Sequence, residues 1–157
     1  GRDQIQWAEA GFDDSGRITG LRCHVLGDAG AYPTIGAALV GGTRRMAAGT
    51  YRVPAFQVHA VSTATNTTPV GAYRGAGRPE ATAMIERLMD QAAHQLGIDP
   101  VELRKRNLLP DDAFPHTTHT GVTYDSGRYA HPLDVAVTEA GYADLREEQQ
   151  ARRERND

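Results

Sequence analysis

The chain of 157 residues contains a single cysteine, Cys23. An internal disulfide is therefore impossible, and no cysteine-ligated iron–sulfur cluster can sit on these residues. Cys23 falls in an apolar-alternating run, where a buried, inert thiol is expected. A basic excess is missing too. The formal net charge is −3, which leaves no positive field to attract nucleic acid or to hold an acidic membrane surface. No apolar run approaches the length of a membrane span, and no signal peptide is visible. Ser15, Ser62 and Ser126 lack a nucleophile-elbow context, so a Ser-His-Asp hydrolase has no basis.

What is present is an ordinary globular composition, 39% apolar and 24% charged, in a chain long enough for one domain with a core. The sequence starts at Gly1 rather than methionine and stops in the charged stretch REEQQARRERND, so a piece of a longer protein is expected. Neither an internal repeat nor a domain boundary stands out.

The chain is organised around TNTTPVGAYRGAGRPEATAMIERLMDQAAHQL, residues 65–96. It is a polar, glycine-rich loop running into a helix. Pro79 suits the first helical turn, and Gly97 is a natural stop. Ala81, Met84, Ile85, Leu88, Ala92 and Leu96 recur at three- and four-residue steps and predict one buried stripe. Gly71, Gly75 and Gly77 stand among Arg74 and Arg78. Backbone N–H groups at the positive end of a helix, beside two guanidinium groups, point to an anionic or strongly polar ligand. The glycine spacing does not make a P-loop, because Arg78-Pro79 stands where Lys-Ser/Thr is required. Nor is it a dinucleotide fingerprint, since Gly75-Ala76-Gly77-Arg78-Pro79 continues to Glu80 instead of glycine. Read from pattern alone, a tight turn capping a core helix remains open beside a ligand loop.

The rest of the pattern predicts an α+β fold: a β-hairpin and a further strand packed with helices. Residues 4–12 and 17–26 read as the hairpin around Asp13-Asp14-Ser15-Gly16, and residues 53–64 as the further strand. Residues 35–48 read as a helix or irregular segment packed closely on another backbone. Asp99 caps a helix from Pro100 to about residue 108, with Glu102 placed for a capping box. Residues 111–129 read as an extended loop, 132–140 as a short helix before Gly141, and 142–155 as a charged, solvated helix. His116 and His119 are three apart, but a metal would need a further ligand that is not evident. His24, His59 and His94 read as surface residues, and Glu80 as a partner of the helix dipole with no role as a base. Asn66-Thr67-Thr68 matches a glycosylation acceptor without other signs of secretion.

The heptad Ala72-Tyr73-Arg74-Gly75-Ala76-Gly77-Arg78 resembles the active-site loop of the molybdenum hydroxylases, the xanthine dehydrogenase and aldehyde oxidase family. Within it the chain most resembles form II carbon monoxide dehydrogenase large subunits. GRDQ from Gly1, DAGAY from Asp28, LGIDPVELRKRNLL from Leu96 and TGVTYDSG from Thr120 extend the resemblance over nearly the whole chain, in family order.

The resemblance implies an internal fragment, residues 1–157, of a molybdopterin-binding domain. It implies a molybdenum cofactor, in bacteria usually the cytosine dinucleotide form, bordered by Tyr73, Arg74, Gly75, Ala76, Gly77 and Arg78. The metal is then held by the pterin dithiolene and by no protein side chain. The implied reaction hydroxylates an aldehyde or an N-heterocycle, with water as the oxygen source. Electrons leave through iron–sulfur clusters on a small subunit and FAD on a medium subunit, in a cytoplasmic dimer of heterotrimers. No catalytic residue is expected within this piece. The general-base glutamate would lie downstream and a glycine-rich GGFGGKE segment upstream, so the piece is expected to fold poorly and be inactive alone.

Two departures bear on substrate. Carbon monoxide oxidisers carry Cys-Ser-Phe, whose cysteine holds copper, where this chain has Gly75-Ala76-Gly77 and so no sulfur. Xanthine dehydrogenases carry a purine-stacking phenylalanine where this chain has Ala76; their substrate-binding arginine would fall near Gly42, with Arg44 and Arg45 close but out of register. A carbon monoxide dehydrogenase large subunit, a structural piece without catalytic function and a generic phosphate binder are the alternatives.

Overall fold

The computed structural model describes residues 3–155. The hairpin forms as expected: β1 (Gln4–Phe12) pairs antiparallel with β2 (Ile18–Gly30). Its turn is built by one carboxylate. Asp13 Oδ1 accepts from the Ser15 N–H (2.9 Å), the Ser15 hydroxyl (2.7 Å) and the Arg17 N–H (2.9 Å), and Gly16 supplies the positive φ. β2 extends to Gly30, beyond the expected end at residue 26. The run Gly27-Asp28-Ala29-Gly30 stays in the sheet because β3 (Phe56–Ala64) pairs beside it. That pairing is parallel, with Leu21 opposite Phe56 and Asp28 opposite Thr63, in the order β1-β2-β3.

A parallel pair needs a crossover. Here it is a 3-10 turn (Ile35–Ala38) followed by helix α1 (Leu39–Met46). A segment containing Gly41 and Gly42 has poor helix propensity. Tertiary contact explains why it is helical and why small residues stand there. A Cβ on Gly27 of β2 would meet Val40 Cγ1 at 2.3 Å, and one on Gly42 would meet the Ala76 carbonyl at 2.3 Å.

Helix α2 (Arg78–Leu96) follows β3 and packs on the same sheet face. Its buried residues are Ala81, Met84, Ile85, Met89, Ala92 and Ala93. Leu96, expected in the stripe, is 41% exposed at the last turn of α2, where it borders a hollow beside β1, and Met89 is fully buried in the core. Ile85, Met89 and Cys23 interlock with Leu103 of α3 (Pro100–Asn107). Burial of side chains such as Ile85 and Leu103 contributes about 1.5–3 kcal/mol each. The layering is two-deep, helices on one face; on the other, Ile5 and Trp7 are half exposed.

α3 starts at the predicted Asp99 cap, but Glu102 closes no capping box, its carboxylate turning to Arg106 instead. Asp99 Oδ1 accepts from the N–H groups of Val101 and Glu102. The end of α3 clamps the hairpin turn through buried Asn107. Asn107 Oδ1 accepts from the Ile18 N–H at 2.7 Å, and Nδ2 donates to the Gly16 and Leu103 carbonyls at 2.8 and 2.9 Å.

The stretch expected as one extended loop contains a 3-10 turn (Asp111–Ala113) and a two-residue ladder of β4 (His116–Thr117) with β5 (Thr123–Tyr124). It returns to the end of α1 and the segment after it through hydrogen bonds from Thr120 to the Arg45 carbonyl and from Tyr124 to the Gly49 carbonyl. Helices α4 (Ala130–Glu139) and α5 (Tyr142–Arg155) bury no residue fully. They are tied to α3 by Tyr142 and Arg146 on Asp99 and by Lys105 on Asp134.

Candidate functional site

The glycine loop lies past the C-terminal ends of the parallel strands β2 and β3, an open-sheet edge where ligands commonly sit. Its approach is pinned by Asp28. Asp28 Oδ1 accepts from the Thr65 hydroxyl (2.7 Å) and the Gly30 N–H (2.8 Å), and Oδ2 accepts from the Thr67 hydroxyl (2.9 Å). Led by the Thr65 bond, these hold the Asp28 carboxyl below its usual range. Backbone bonds from Ala31 to Thr67 and from Val70 to Ala29 complete the strap. A Cβ on Gly30 would meet the Thr68 carbonyl at 2.4 Å, and one on Gly36 the Val70 carbonyl at 2.4 Å.

The loop itself is two consecutive turns. Ala76 N–H bonds to the Tyr73 carbonyl and Arg78 N–H to the Gly75 carbonyl, both at 3.0 Å. Three successive residues have positive φ: Gly75 at 97°, Ala76 at 31° and Gly77 at 93°. For Ala76 this conformation is strained, and such strain persists only where surroundings impose it. The imposing surface is α1. A Cβ on Gly77 would lie 2.5 Å from the Thr43 N and 2.6 Å from the Leu39 carbonyl. Thr43 is fully buried and shares two hydrogen-bond geometries with the Gln4 amide. Gln6 then bridges Gln4 to the Glu80 carbonyl in the first turn of α2. Strand, crossover helix and α2 thus meet under the loop.

The other side of the loop is open. Tyr73 is 75% exposed, and Arg74 is exposed. The Arg74 guanidinium makes no hydrogen bond or ion pair among the described residues, and the backbone N–H groups of Ala72, Arg74, Gly75 and Gly77 find no acceptor there. Arg78 reaches only the Gly75 carbonyl, at 3.4 Å. The donor set is therefore amide N–H groups and guanidinium groups at a helix N-terminus, with no thiolate. Cys23 is buried in the core and its thiol is raised to about 11 by desolvation, so it is protonated at neutral pH. Such a set fits an anionic group rich in oxo and phosphate oxygens that brings its own metal ligands.

All six loop residues singled out in the sequence, Tyr73 to Arg78, come together in this one turn pair. The histidines do not join them. His24 and His59 pack edge to face on the exposed sheet side, and His119 hydrogen-bonds the Val53 carbonyl. Asp28, Thr65 and Thr67 were missed as supports. The signal was the two-residue spacing of the threonines in TNTT, which reads equally well as a glycosylation acceptor.

Among the described residues no helix is long and apolar enough to cross a membrane. Residues 1–108 match the profile of the molybdopterin cofactor-binding domain. The chain is 35% identical over 153 residues to the 6-hydroxypseudooxynicotine dehydrogenase complex subunit gamma of Paenarthrobacter nicotinovorans, covering 94% of this chain and 19% of that protein. It is 35% identical over 156 residues to the carbon monoxide dehydrogenase large chain of Hydrogenophaga pseudoflava, covering 97% of this chain and again 19% of the relative. Quinoline 2-oxidoreductase from Pseudomonas putida 86 superposes with a TM-score of 0.89 at 31% identity, over 98% of this chain and 20% of that one. The chain thus spans about a fifth of the length of the curated relatives it matches. With the profile covering both the sheet and the glycine loop, the chain belongs to the molybdopterin cofactor-binding domain family.

Proposed function

We propose that residues 1–157 are an internal piece of the molybdopterin-binding domain of a molybdenum hydroxylase large subunit, and that the loop from Tyr73 to Arg78 is one wall of its active site. The observation that carries this reading is the strained, backed loop with unpaired N–H groups and the unpaired Arg74 guanidinium at the start of α2. When bound, a molybdenum–pterin group supplies two-electron oxidation with oxygen drawn from water. The chain's own part is to bind and orient. The N–H groups of Arg74 and Gly75 donate to anionic oxygens, and Arg74 offsets their charge. The α1 backbone keeps the turns from relaxing. By the family resemblance, the general-base glutamate lies in a segment downstream of these residues.

The substrate we propose is an aldehyde or an N-heterocycle and not carbon monoxide. Gly75 offers no sulfur for copper, and the one cysteine of the chain is buried in the core. Small Ala76 leaves no ring to stack a purine. From the family resemblance we further propose iron–sulfur clusters and FAD on partner subunits of a cytoplasmic assembly, a dimer of heterotrimers, with the cofactor in its cytosine dinucleotide form; the single cysteine of these residues is compatible with that. Metal analysis of the purified full-length parent tests the reading. Molybdenum near one atom per large chain supports it. Its absence from protein made under molybdenum-replete conditions refutes it in favour of a structural or generic phosphate-binding role.

A further inference from the structure

A cavity of about 370 Å³ opens between α1 and the glycine loop. That is toward the small end of small-molecule sites, the size class of a one- or two-ring compound rather than of a dinucleotide. Ile35, Leu39, Met46 and Val122 give it an apolar wall. Its floor is where Gly42 and Ala76 meet backbone to backbone, so no side chain fills it from below.

Two of its lining residues are cationic, Arg45 and Arg78, and among the described residues no Asp or Glu lines it. Arg45 stands three residues after Gly42, nearly one turn nearer the C-terminus of α1, and lines the cavity with it. Its guanidinium has no acceptor among the described residues; outside the helix ladder its carbonyl accepts from the Thr120 hydroxyl. Arg78 has only the long bond to Gly75. Two guanidinium groups thus border an apolar hollow that contributes no counter-charge.

We infer that this cavity receives an organic acid: a small apolar or aromatic body seated on Leu39 and Met46, with its carboxylate bound by Arg45 and Arg78. Resting on the function proposed above, this makes the substrate an anion, and it makes Arg45 a residue that sets specificity. The planar guanidinium fork matches a carboxylate through paired N–H donors, which a neutral amide of the same shape cannot match.

The test uses the full-length parent protein, with molybdenum measured on the same preparations. Benzoate and benzamide, which share a ring and differ in charge, are titrated calorimetrically into wild type, Arg45→Gln and Arg45→Lys. Benzoate is expected to bind at least about tenfold more tightly than benzamide, the ratio that a charge-assisted hydrogen bond supports. Arg45→Gln is expected to abolish that ratio, Arg45→Lys to retain part of it, and both to keep the wild-type molybdenum content. Equal affinities, or a preference for benzoate that survives Arg45→Gln, overturn the inference. So does loss of molybdenum in Arg45→Gln, which would assign the arginine to the cofactor. A parent without molybdenum refutes the proposed function instead; in that protein a benzoate preference lost in Arg45→Gln still supports the anion cavity, and no preference overturns it.

Discussion

Replacing Gly77 by alanine adds one methyl group at the point where the loop rests on α1. Its Cβ would lie 2.5 Å from the Thr43 N, 2.6 Å from the Leu39 carbonyl and 2.8 Å from the Gly42 carbonyl carbon. All three are backbone atoms of a helix, so none can rotate away. Alanine must also adopt a φ near 93°. Left-handed backbone costs an L-residue about 1–2 kcal/mol, and overpacking costs about 1–3 kcal/mol more. The native loop position is therefore disfavoured by about 2–5 kcal/mol, and cofactor affinity is expected to fall at least about thirtyfold. Gly71→Ala in the same loop is the control. Its added Cβ meets nothing within 4 Å, and its φ is not positive. The assay is molybdenum per chain in the full-length parent after gel filtration at low protein concentration, compared across wild type and both variants. Gly77→Ala should lose most of its metal while Gly71→Ala keeps it. Equal retention in the two variants would refute the argument that α1 holds the loop in its strained shape.

Asn107→Leu should destabilise the parent by about 2–4 kcal/mol, because it strands the buried Ile18 N–H and the Gly16 carbonyl; urea titration with a fluorescence readout measures this. Asp28 has a lowered carboxyl pKa, so its contribution is fully present above the ordinary carboxylate value and is lost as pH falls through the lowered one. Limited proteolysis at residues 65–70 should therefore be flat from neutral pH down to about pH 4 and rise below it, whereas Asp28→Asn should already be cut faster at pH 7. The parent should oxidise aldehydes or N-heterocycles and leave carbon monoxide untouched; carbon monoxide turnover at a comparable rate would contradict the reading of Gly75.

The hairpin was legible because Leu21, Cys23 and Val25 alternate with Arg22 and His24, and because Asp13-Asp14-Ser15-Gly16 is a turn in its own right. The start of α3 was legible for the same reason: Asp99 and Pro100 act within a single turn. What local pattern could not give was long-range. The parallel pairing of β3 with β2 depends on a partner some thirty-five residues away, as with His24 opposite His59. α1 carries two adjacent glycines that argue against a helix, and only the close approach of the Ala76 carbonyl explains them. Leu96 fits the helical period yet is 41% exposed, while Met89, four residues after Ile85 and three before Ala92, fits it as well and is fully buried; period alone does not say which of them the sheet covers. The loop residues were recognisable as a contiguous heptad. Their supports, Asp28 and Thr43, sit 46 and 31 residues before Arg74 and carry no motif that points to the loop.

The central claim is that the turn pair from Tyr73 to Arg78 borders a molybdenum–pterin group. It is tested most directly by a crystal structure of the loaded parent protein, with the metal located from anomalous scattering at the molybdenum edge. The account predicts cofactor oxygens about 3 Å from the N–H groups of Arg74 or Gly75 and from the Arg74 guanidinium. Metal located with none of these groups within about 10 Å, beyond the reach of any hydrogen bond, would contradict it.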